Sequence, residues 1–230
     1  MKKQRLQPAL NALIIAAILI LNYFYQRNGF DFTLKCVCSG GFALLGLINL
    51  GFACARKQGS LRFHISMALG LVLAMLGDVL IGYNFILGAG IFALGHVCFA
   101  AAYCFEQRFS RLDLGLSAVL FIGAAAFLVF CPLLRFEVPA FRIVCLAYAL
   151  IISTMLGKAA GNFLHSRKLL TAVTAIASTL FFFSDLMLVF SWVIGLWDWT
   201  DQACMGTYYP ALCMLALAMY LKSTDRFERN

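Results

Sequence analysis

Three ionisable residues lie inside long apolar segments of the sequence, and their types indicate proton-transfer chemistry. Asp78 and His96 stand in two consecutive apolar segments between Ser66 and Tyr103, and Asp185 stands in a third segment far downstream. An Asp near the centre of a membrane-spanning helix costs about 2.5–3.5 kcal/mol on an insertion scale, so it persists where it is paired, faces a protein interior or acts chemically. We therefore predict that Asp78 and Asp185 form the working pair of a functional site.

Two carboxyl groups that share a site of low dielectric divide the roles of acid and base. Both cannot ionise cheaply, so one holds a proton and the other does not. This pair suits a reaction that passes through an oxocarbenium ion, as in glycoside hydrolysis: one carboxylic acid gives the proton, and the other carboxylate stabilises the cation or orients water. His96 can hold one carboxylate or the water in place.

Simpler interpretations exist for the same residues. Each Asp can accept hydrogen bonds from Ser, Thr or Tyr hydroxyls within a helix bundle and have no other role. His96 can be a packing residue whose partner is Tyr103, about two turns along the same helix. The other histidines, His64 and His165, fall at predicted span edges, so a zinc site built from three histidines is disfavoured and no metal or other cofactor is expected.

The composition places the chain in the class of integral membrane proteins. Of its 230 residues, 63% are hydrophobic and 12% are charged, against roughly 45–50% apolar residues in soluble domains. Apolar stretches of about 20 residues recur along almost the whole length, which predicts a single polytopic domain over residues 1–230 with the lipid bilayer as partner. The net charge of +8 does not indicate nucleic acid, because the Lys and Arg residues fall in short loops between spans.

The apolar runs and loop signals predict an all-α bundle of eight transmembrane helices. The predicted spans cover about residues 8–24, 33–55, 63–83, 85–105, 112–131, 139–159, 169–196 and 203–221. The first run resembles a signal peptide, but it ends in Asn-Tyr-Phe-Tyr and not in a small-x-small cleavage site, so we expect it to be retained. The nine cysteines include no C-x-x-C pair and are interpreted as small apolar residues.

The distribution of basic residues predicts the orientation. Most of the 18 Lys and Arg residues, including Lys158 at the end of the sixth span, fall on one side of the predicted bundle, and the other side has Arg27, Lys35, Arg135 and Arg142. By the positive-inside rule both termini are cytoplasmic. The expected location is the inner membrane of a bacterium, although a protein of the endoplasmic reticulum would show the same bias.

This topology predicts that the three ionisable residues meet in the outer half of the bilayer. The third and seventh spans run in the same direction, with Asp78 and Asp185 past the middle of each. His96 enters from the outer side and reaches a comparable depth after roughly 15 Å of helix. Three helices can therefore share one pocket.

Small and polar residues form two further patterns on these spans. Asp78 lies on a row of small residues at intervals of four, which predicts a groove for a neighbouring helix or a slim ligand; the row is Ser66, Gly70, Ala74, Asp78 and Gly82. On the seventh span a polar stripe is expected to face the bundle interior; it comprises Thr171, Thr174, Ser178 and Asp185.

Several of these elements occur in the order and spacing of a known family. The segments ALGLVLAMLGDVLIG, GIFALGHVCFAAAY, LFFFSDLMLVF and TYYPALCMLALA together resemble the YhhN-like lysoplasmalogenase family of eight-span membrane proteins, over roughly residues 63–221. The resemblance implies hydrolysis of the vinyl ether bond of lysoplasmalogens to a fatty aldehyde and a glycerophospho-ethanolamine or glycerophospho-choline. It places the family's Asp pair on Asp78 and Asp185 and its His on His96, with a lysophospholipid as substrate and no cofactor.

Four further residues are candidates for substrate binding, and the oligomeric state stays open. Tyr83, Tyr208 and Lys35 are expected near the head group at the outer interface. Tyr103 follows His96 on the same predicted helix, about two turns away. For Lys35 the simpler interpretation is a side chain that extends to the membrane surface.

Three other functions are compatible with the same carboxylates. A transporter or channel would use Asp78 and Asp185 to relay protons or to bind a cation, although the sequence has no clear inverted repeat. An intramembrane aspartyl protease is disfavoured, because Met75-Leu76-Gly77-Asp78 lacks the first Gly of a G-x-G-D element. A non-catalytic membrane scaffold would tolerate Asn at both positions.

Overall fold

The chain forms a bundle of α-helices. The computed structural model describes residues 2–56, 60–134, 136, 139–194 and 198–224. Its helices are α1 (Lys2–Arg27), α2 (Phe32–Arg56), α3 (Leu61–Ile81), α4 (Phe85–Glu106), α5 (Arg111–Phe130), α6 (Pro139–Ser166), α7 (Leu169–Ile194) and α8 (Asp198–Thr224). All eight are long and apolar enough to cross a membrane, and the described ranges contain no strand. The prediction of an all-α bundle with eight spans is confirmed.

The helices differ from the predicted spans mainly at their ends. α6 continues to Ser166, past the predicted end at residue 159, so Lys158 lies well inside the helix and not at its edge. The apolar run stops at this lysine, but the helix does not, because hydropathy reports the apolar core of a span and not its last turn. α3 ends at Ile81 because Gly82 and Tyr83 form a turn before α4. The predicted end of the seventh span, at residue 196, lies outside the described residues.

Polar caps fix where three helices begin. The side chains of Ser60, Asn84 and Ser110 accept hydrogen bonds from backbone N–H groups in the first turns of α3, α4 and α5. At α5, Asp113 bonds back to the backbone of Ser110 and completes a capping box. These caps set the connections that place Asp78 and His96 on adjacent antiparallel helices.

α8 lies at the centre of the bundle and α5 lies at its edge. α8 packs against α1, α2, α3 and α7, whereas α5 packs mainly against α6. Over their membrane-spanning windows, 56% of α8 residues are buried but only 17% of α5 residues. A functional site near α8 is therefore enclosed by protein, while one beside α5 borders the surrounding lipid.

The short connections make successive helices antiparallel, so α1, α3, α5 and α7 end on the side where the other four begin. We call this the outer side, after the orientation that the charges predict. That orientation stays a prediction.

The row of small residues on α3 brings α4 into close contact, as expected. A Cβ atom at Gly70 would lie 2.5 Å from the ring of Phe99, and one at Gly88 of α4 would lie 2.6 Å from the backbone of Ile81. Because any larger side chain would separate the helices here, the small residues fix the depth of Asp78 relative to His96. The predicted polar stripe of α7 is also confirmed, since Thr171, Thr174, Ser178 and Asp185 are all buried.

Candidate active site

The Asp78 carboxylate is held by α2 and α8. It is 2% exposed, and its Oδ1 lies 3.1 Å from Nζ of Lys35. Its Oδ2 accepts hydrogen bonds from the hydroxyl of Ser39 and from Tyr209 Oη, the latter at 3.2 Å. Lys35 and Ser39 are four residues apart on α2, so both face α3. The simpler interpretation, that Asp78 accepts bonds from Ser and Tyr hydroxyls, therefore describes part of its surroundings.

Lys35 does not extend to the membrane surface, and that interpretation is wrong. The residue is only 8% exposed and turns inward to Asp78. A buried carboxylate without a partner is costly, and an ammonium group in contact offsets that cost. The lysine thus belongs to the Asp78 centre.

The Asp185 carboxyl group is held by α4 and α6. Tyr148 Oη donates a hydrogen bond to Oδ2 of Asp185 at 2.6 Å. Nε2 of His96 lies 3.2 Å from the same oxygen and 2.7 Å from Tyr148 Oη. Asp185, His96 and Tyr148 therefore form a compact triangle of polar groups among apolar side chains.

The His96 ring has a defined tautomer in this triangle. The residue is fully buried, and its Nδ1 has no hydrogen-bond partner. A buried N–H group without an acceptor costs free energy, so these contacts favour the tautomer with its proton on Nε2, where Tyr148 and Asp185 can accept it. His96 thus orients one carboxyl group of the pair.

Tyr148 is the functional candidate that sequence analysis missed. It stands in the apolar run of α6, away from the membrane interfaces where tyrosines are common. That position was the available signal, but nothing in its spacing links it to Asp185.

Tyr103 has a different partner from the expected one. Its hydroxyl lies 3.0 Å from Oγ of Ser178, and its backbone carbonyl accepts a bond from Asn162. The interpretation of Tyr103 as the partner of His96 is therefore wrong. Tyr103 also does not line the cavity described next.

One partly open cavity of about 300 Å³ is lined by both carboxyl groups. Asp78 and Lys35 line it from one side and Asp185 from the other, and Tyr208 contributes part of its wall. Towards the outer side it is bordered by Asp201 and further residues, namely Phe30, Ser191 and Trp192. The structure thus brings Asp78 and Asp185 to one space, each with its own set of hydrogen-bond partners.

The two remaining tyrosine candidates differ in their relation to this cavity. Tyr208 is buried, and its hydroxyl donates to the backbone carbonyl of Ala74 at 3.3 Å. Tyr83 is 75% exposed at the outer end of α3, where its ring meets the edge of Phe32. Its neighbour Gly82 lines the cavity, but Tyr83 itself does not.

A second space, which we call the α5–α7 groove, lies between α5, α6 and α7. Its volume is about 340 Å³, and its lining is apolar except for Tyr148, Asp185 and the Cys145 thiol among the described residues. Asp185 lines both the cavity and this groove. The carboxyl group therefore stands where a polar space meets an apolar one.

The described residues contain no cluster of three or more His, Cys, Asp or Glu side chains that could hold a metal ion. His64 bonds to Ser60 and to Met219 near the opposite end of α3, and His165 bonds to Gly161. Neither histidine lines the cavity.

A third buried carboxylate was not singled out from the sequence. Asp113 is 1% exposed, and its Oδ2 lies 2.8 Å from Nζ of Lys158, which is itself fully buried. This pair joins α5 to α6 on the side of the bundle opposite to the outer side. It lines neither the cavity nor the α5–α7 groove.

The fold and site define a polytopic α-helical membrane protein with two buried carboxyl centres at one cavity. A sequence model of the YhhN family matches residues 30–219, and the chain belongs to the YhhN family. The match confirms the resemblance seen in the sequence motifs. No curated protein and no solved structure matches the chain significantly.

Proposed function

We propose that this protein is an intramembrane hydrolase that cleaves the vinyl ether bond of lysoplasmalogens, releasing a fatty aldehyde and a glycerophospho-ethanolamine or glycerophospho-choline. The observation that carries the proposal is the position of Asp185, which lines both the polar cavity that holds Asp78 and the apolar α5–α7 groove. A lysoplasmalogen has a polar head and one hydrocarbon chain, and its vinyl ether bond lies where the two meet. Membership of the YhhN family is consistent with a membrane enzyme.

The partners of the two carboxyl groups suggest how they divide the work. Asp78 has the Lys35 ammonium at 3.1 Å, and an opposite charge at this distance favours the ionised form of a carboxyl group. Asp185 is contacted by a phenol and by His96, and both described hydrogen bonds reach Oδ2. We assign the ionised carboxylate to Asp78, and we assign the transferable proton to Oδ1 of Asp185.

The reaction follows from this assignment. Asp185 gives its proton to the vinyl carbon that is not bonded to oxygen, and the π electrons of the double bond form the new C–H bond. The resulting oxocarbenium ion is attacked by water, whose proton goes to Asp78, and a hemiacetal forms. The hemiacetal hydroxyl then returns a proton to Asp185 while Asp78 protonates the departing glycerol oxygen. The C–O bond breaks, the aldehyde is released and both carboxyl groups regain their starting states.

The other candidate residues take supporting roles in this proposal. Lys35 holds the Asp78 carboxylate, and His96 and Tyr148 orient Asp185. Tyr208 forms part of the wall beside the glycerol backbone, and Tyr83 meets the head group at the outer interface. Tyr103, bonded to Ser178, supports the packing of α4 on α7.

The test is aldehyde release from a lysoplasmalogen by the purified protein in detergent. Asp78→Asn and Asp185→Asn should each lower turnover by about 10²–10⁴-fold, the usual contribution of a general acid or base. A lysolipid with a saturated alkyl ether should give no aldehyde. Far-ultraviolet circular dichroism and the unfolding midpoint verify that both variants are folded.

Asp31→Asn is the matched control for the loss of one carboxylate. Asp31 lies at the start of α2 on the outer side, is exposed and bonds to the backbone of Leu34, a contact that Asn preserves. This variant should be fully active. Full activity in both Asp78→Asn and Asp185→Asn would refute the proposal. Solute flux in liposomes, without aldehyde release, would favour a transporter.

A further inference from the structure

The α5–α7 groove is shaped for an extended apolar ligand. Along α5 its lining runs from Val119 to Leu128, a length of roughly 13 Å at about 1.5 Å per residue. The opposite wall includes Ile152 of α6 and Phe182 of α7. A narrow apolar space of this length suits a hydrocarbon chain better than a compact polar molecule.

The groove borders the lipid. α5 packs mainly against α6, and its contact with α7 includes the rings of Phe127 and Phe190, whose centroids are 5.5 Å apart near the outer end. Near the middle of the length of α5, Val119 and Ile122 are 71% and 65% exposed. A lipid chain can therefore enter from the side between α5 and α7 without leaving an apolar environment.

The groove is continuous with the reactive group. Tyr148 and Asp185 are the hydrogen-bonding oxygen groups on its wall among the described residues, and Asp185 also lines the cavity of Asp78. A chain that occupies the groove therefore places its first carbons beside the Asp185 carboxyl group. This continuity selects a substrate chain as the occupant over a second protein helix.

Gly123 keeps the middle of the groove open. It lies on the groove wall of α5 and is exposed, and a Cβ atom built there would meet no other atom within 4 Å. A large side chain at this position would fit beside its neighbours and would project where a ligand chain passes.

We propose that the α5–α7 groove binds the hydrocarbon chain of the substrate, entering sideways from the bilayer, and that the absent side chain of Gly123 lets long chains fit. This inference rests on the proposed function for its reaction but concerns a different part of the molecule. The chain lies along α5 past Gly123, and its vinyl ether end reaches Asp185.

The test compares chain-length selectivity in Gly123→Trp and Gly115→Trp. Gly115 is on the same helix, is also exposed and has equally open space around it, but it does not line the groove. Gly123→Trp should lower kcat/KM for an octadecenyl lysoplasmalogen by about tenfold, the effect of excluding about two methylene groups from an apolar site. A decenyl substrate should be cleaved at the wild-type rate. Gly115→Trp should cleave both substrates as the wild type does.

A second measurement does not depend on hydrolysis. A saturated alkyl-ether lysolipid with a diazirine in its chain should label peptides of α5 and α7 in the wild type and in Gly115→Trp. Labelling should fall in Gly123→Trp and fall less in Gly123→Leu. If no aldehyde is released but this labelling pattern holds, the groove stands and the proposed reaction fails. Equal labelling in all variants, or an equal loss of activity for both chain lengths in Gly123→Trp, would overturn the groove proposal.

Discussion

Two lysine–aspartate pairs are buried in the same bundle, and their surroundings differ. Lys35 lies 3.1 Å from Asp78 and Lys158 lies 2.8 Å from Asp113, and each of the four side chains is exposed by 10% or less. The Lys35 pair lines a cavity of about 300 Å³. The Lys158 pair lines neither this cavity nor the α5–α7 groove, and Lys158 also donates to the carbonyl of Arg108 at 3.0 Å.

The comparison shows that burial of a charge does not by itself identify a reactive site. Both pairs satisfy the rule that an intramembrane charge needs a partner. Only the pair beside a cavity leaves room for a substrate or water molecule at its carboxylate. The Asp113 pair instead joins the start of α5 to the half of α6 that lies away from the outer side, and we expect it to hold these helices together.

The largest expected difference in stability is between the variants that lack one lysine, Lys158→Met and Lys35→Met. Lys158→Met leaves Asp113 buried without a cation, which should lower the free energy of unfolding by about 3–5 kcal/mol. Lys35→Met should cost less stability, because the cavity admits water to Asp78, and should reduce turnover instead. Denaturant titration in detergent micelles and aldehyde release measure the two effects separately.

A double variant provides the control for this prediction. Replacing both members, as Lys158→Met with Asp113→Leu, should restore much of the lost stability, since an apolar pair removes the uncompensated charge. If Lys158→Met alone is as stable as the wild type, the Lys158–Asp113 pair does not hold α5 to α6.

A smaller loss of stability is expected from a substitution at Gly161, where α6 contacts the Asp113 side chain of the Lys158–Asp113 pair. A Cβ atom at Gly161 would lie 1.7 Å from Oδ1 of Asp113, so Gly161→Ala must displace the Asp113 carboxylate from its contact with Lys158 or move α5, and it should cost about 1–3 kcal/mol. Gly115→Ala, with open space around it, should change stability by no more than about 0.5 kcal/mol. The test compares the unfolding midpoints of the two alanine variants. Equal midpoints would show that the close packing of α5 on α6 does not depend on Gly161.

Much of the fold follows from the sequence because its physical causes are local. Apolar runs of about 20 residues and the alternation of basic loops suffice to find eight spans. The predicted end of α6 at residue 159 is too early, because Lys158 marks the end of the apolar run and hydropathy cannot distinguish a lysine at a span edge from one paired inside the bundle. The motif Gly157-Lys158-Ala159-Ala160-Gly161 is a small-xxx-small pattern that indicates close helix packing, and it was the signal for a buried position.

The candidate site was predictable in part. Asp78, Asp185 and His96 stand out because ionisable groups in apolar spans are costly. Their partners stand out less: a tyrosine inside a span, such as Tyr148, is only a weak signal, and Tyr148 and Tyr209 reach the carboxyl groups from distant parts of the chain. Which hydroxyl meets which carboxylate depends on helix rotation and depth, and these are set by packing between helices that the one-dimensional pattern does not contain.

The smallest expected effects come from two serines, one beside the Lys35–Asp78 pair and one beside the Lys158–Asp113 pair, and they test whether the two pairs have different roles. Ser39 donates to the Asp78 carboxylate, and Ser117 donates to the backbone carbonyl of Asp113 at 2.7 Å. One hydrogen bond is worth about 1 kcal/mol, so Ser39→Ala should lower turnover by about fivefold, with Tyr209 still bound to Asp78. Ser117→Ala should instead lower the free energy of unfolding by about 1 kcal/mol and leave the turnover of folded protein unchanged.

Both serine variants are measured by the same two assays, aldehyde release per folded molecule and denaturant titration. The outcome that matters is the assay in which each one differs from the wild type. If Ser39→Ala behaves like Ser117→Ala, losing stability but no turnover, then the Asp78 centre is as structural as the Asp113 pair. The cavity beside Asp78 would then have no part in chemistry, because a bond to a working carboxylate must affect the reaction that this carboxylate performs.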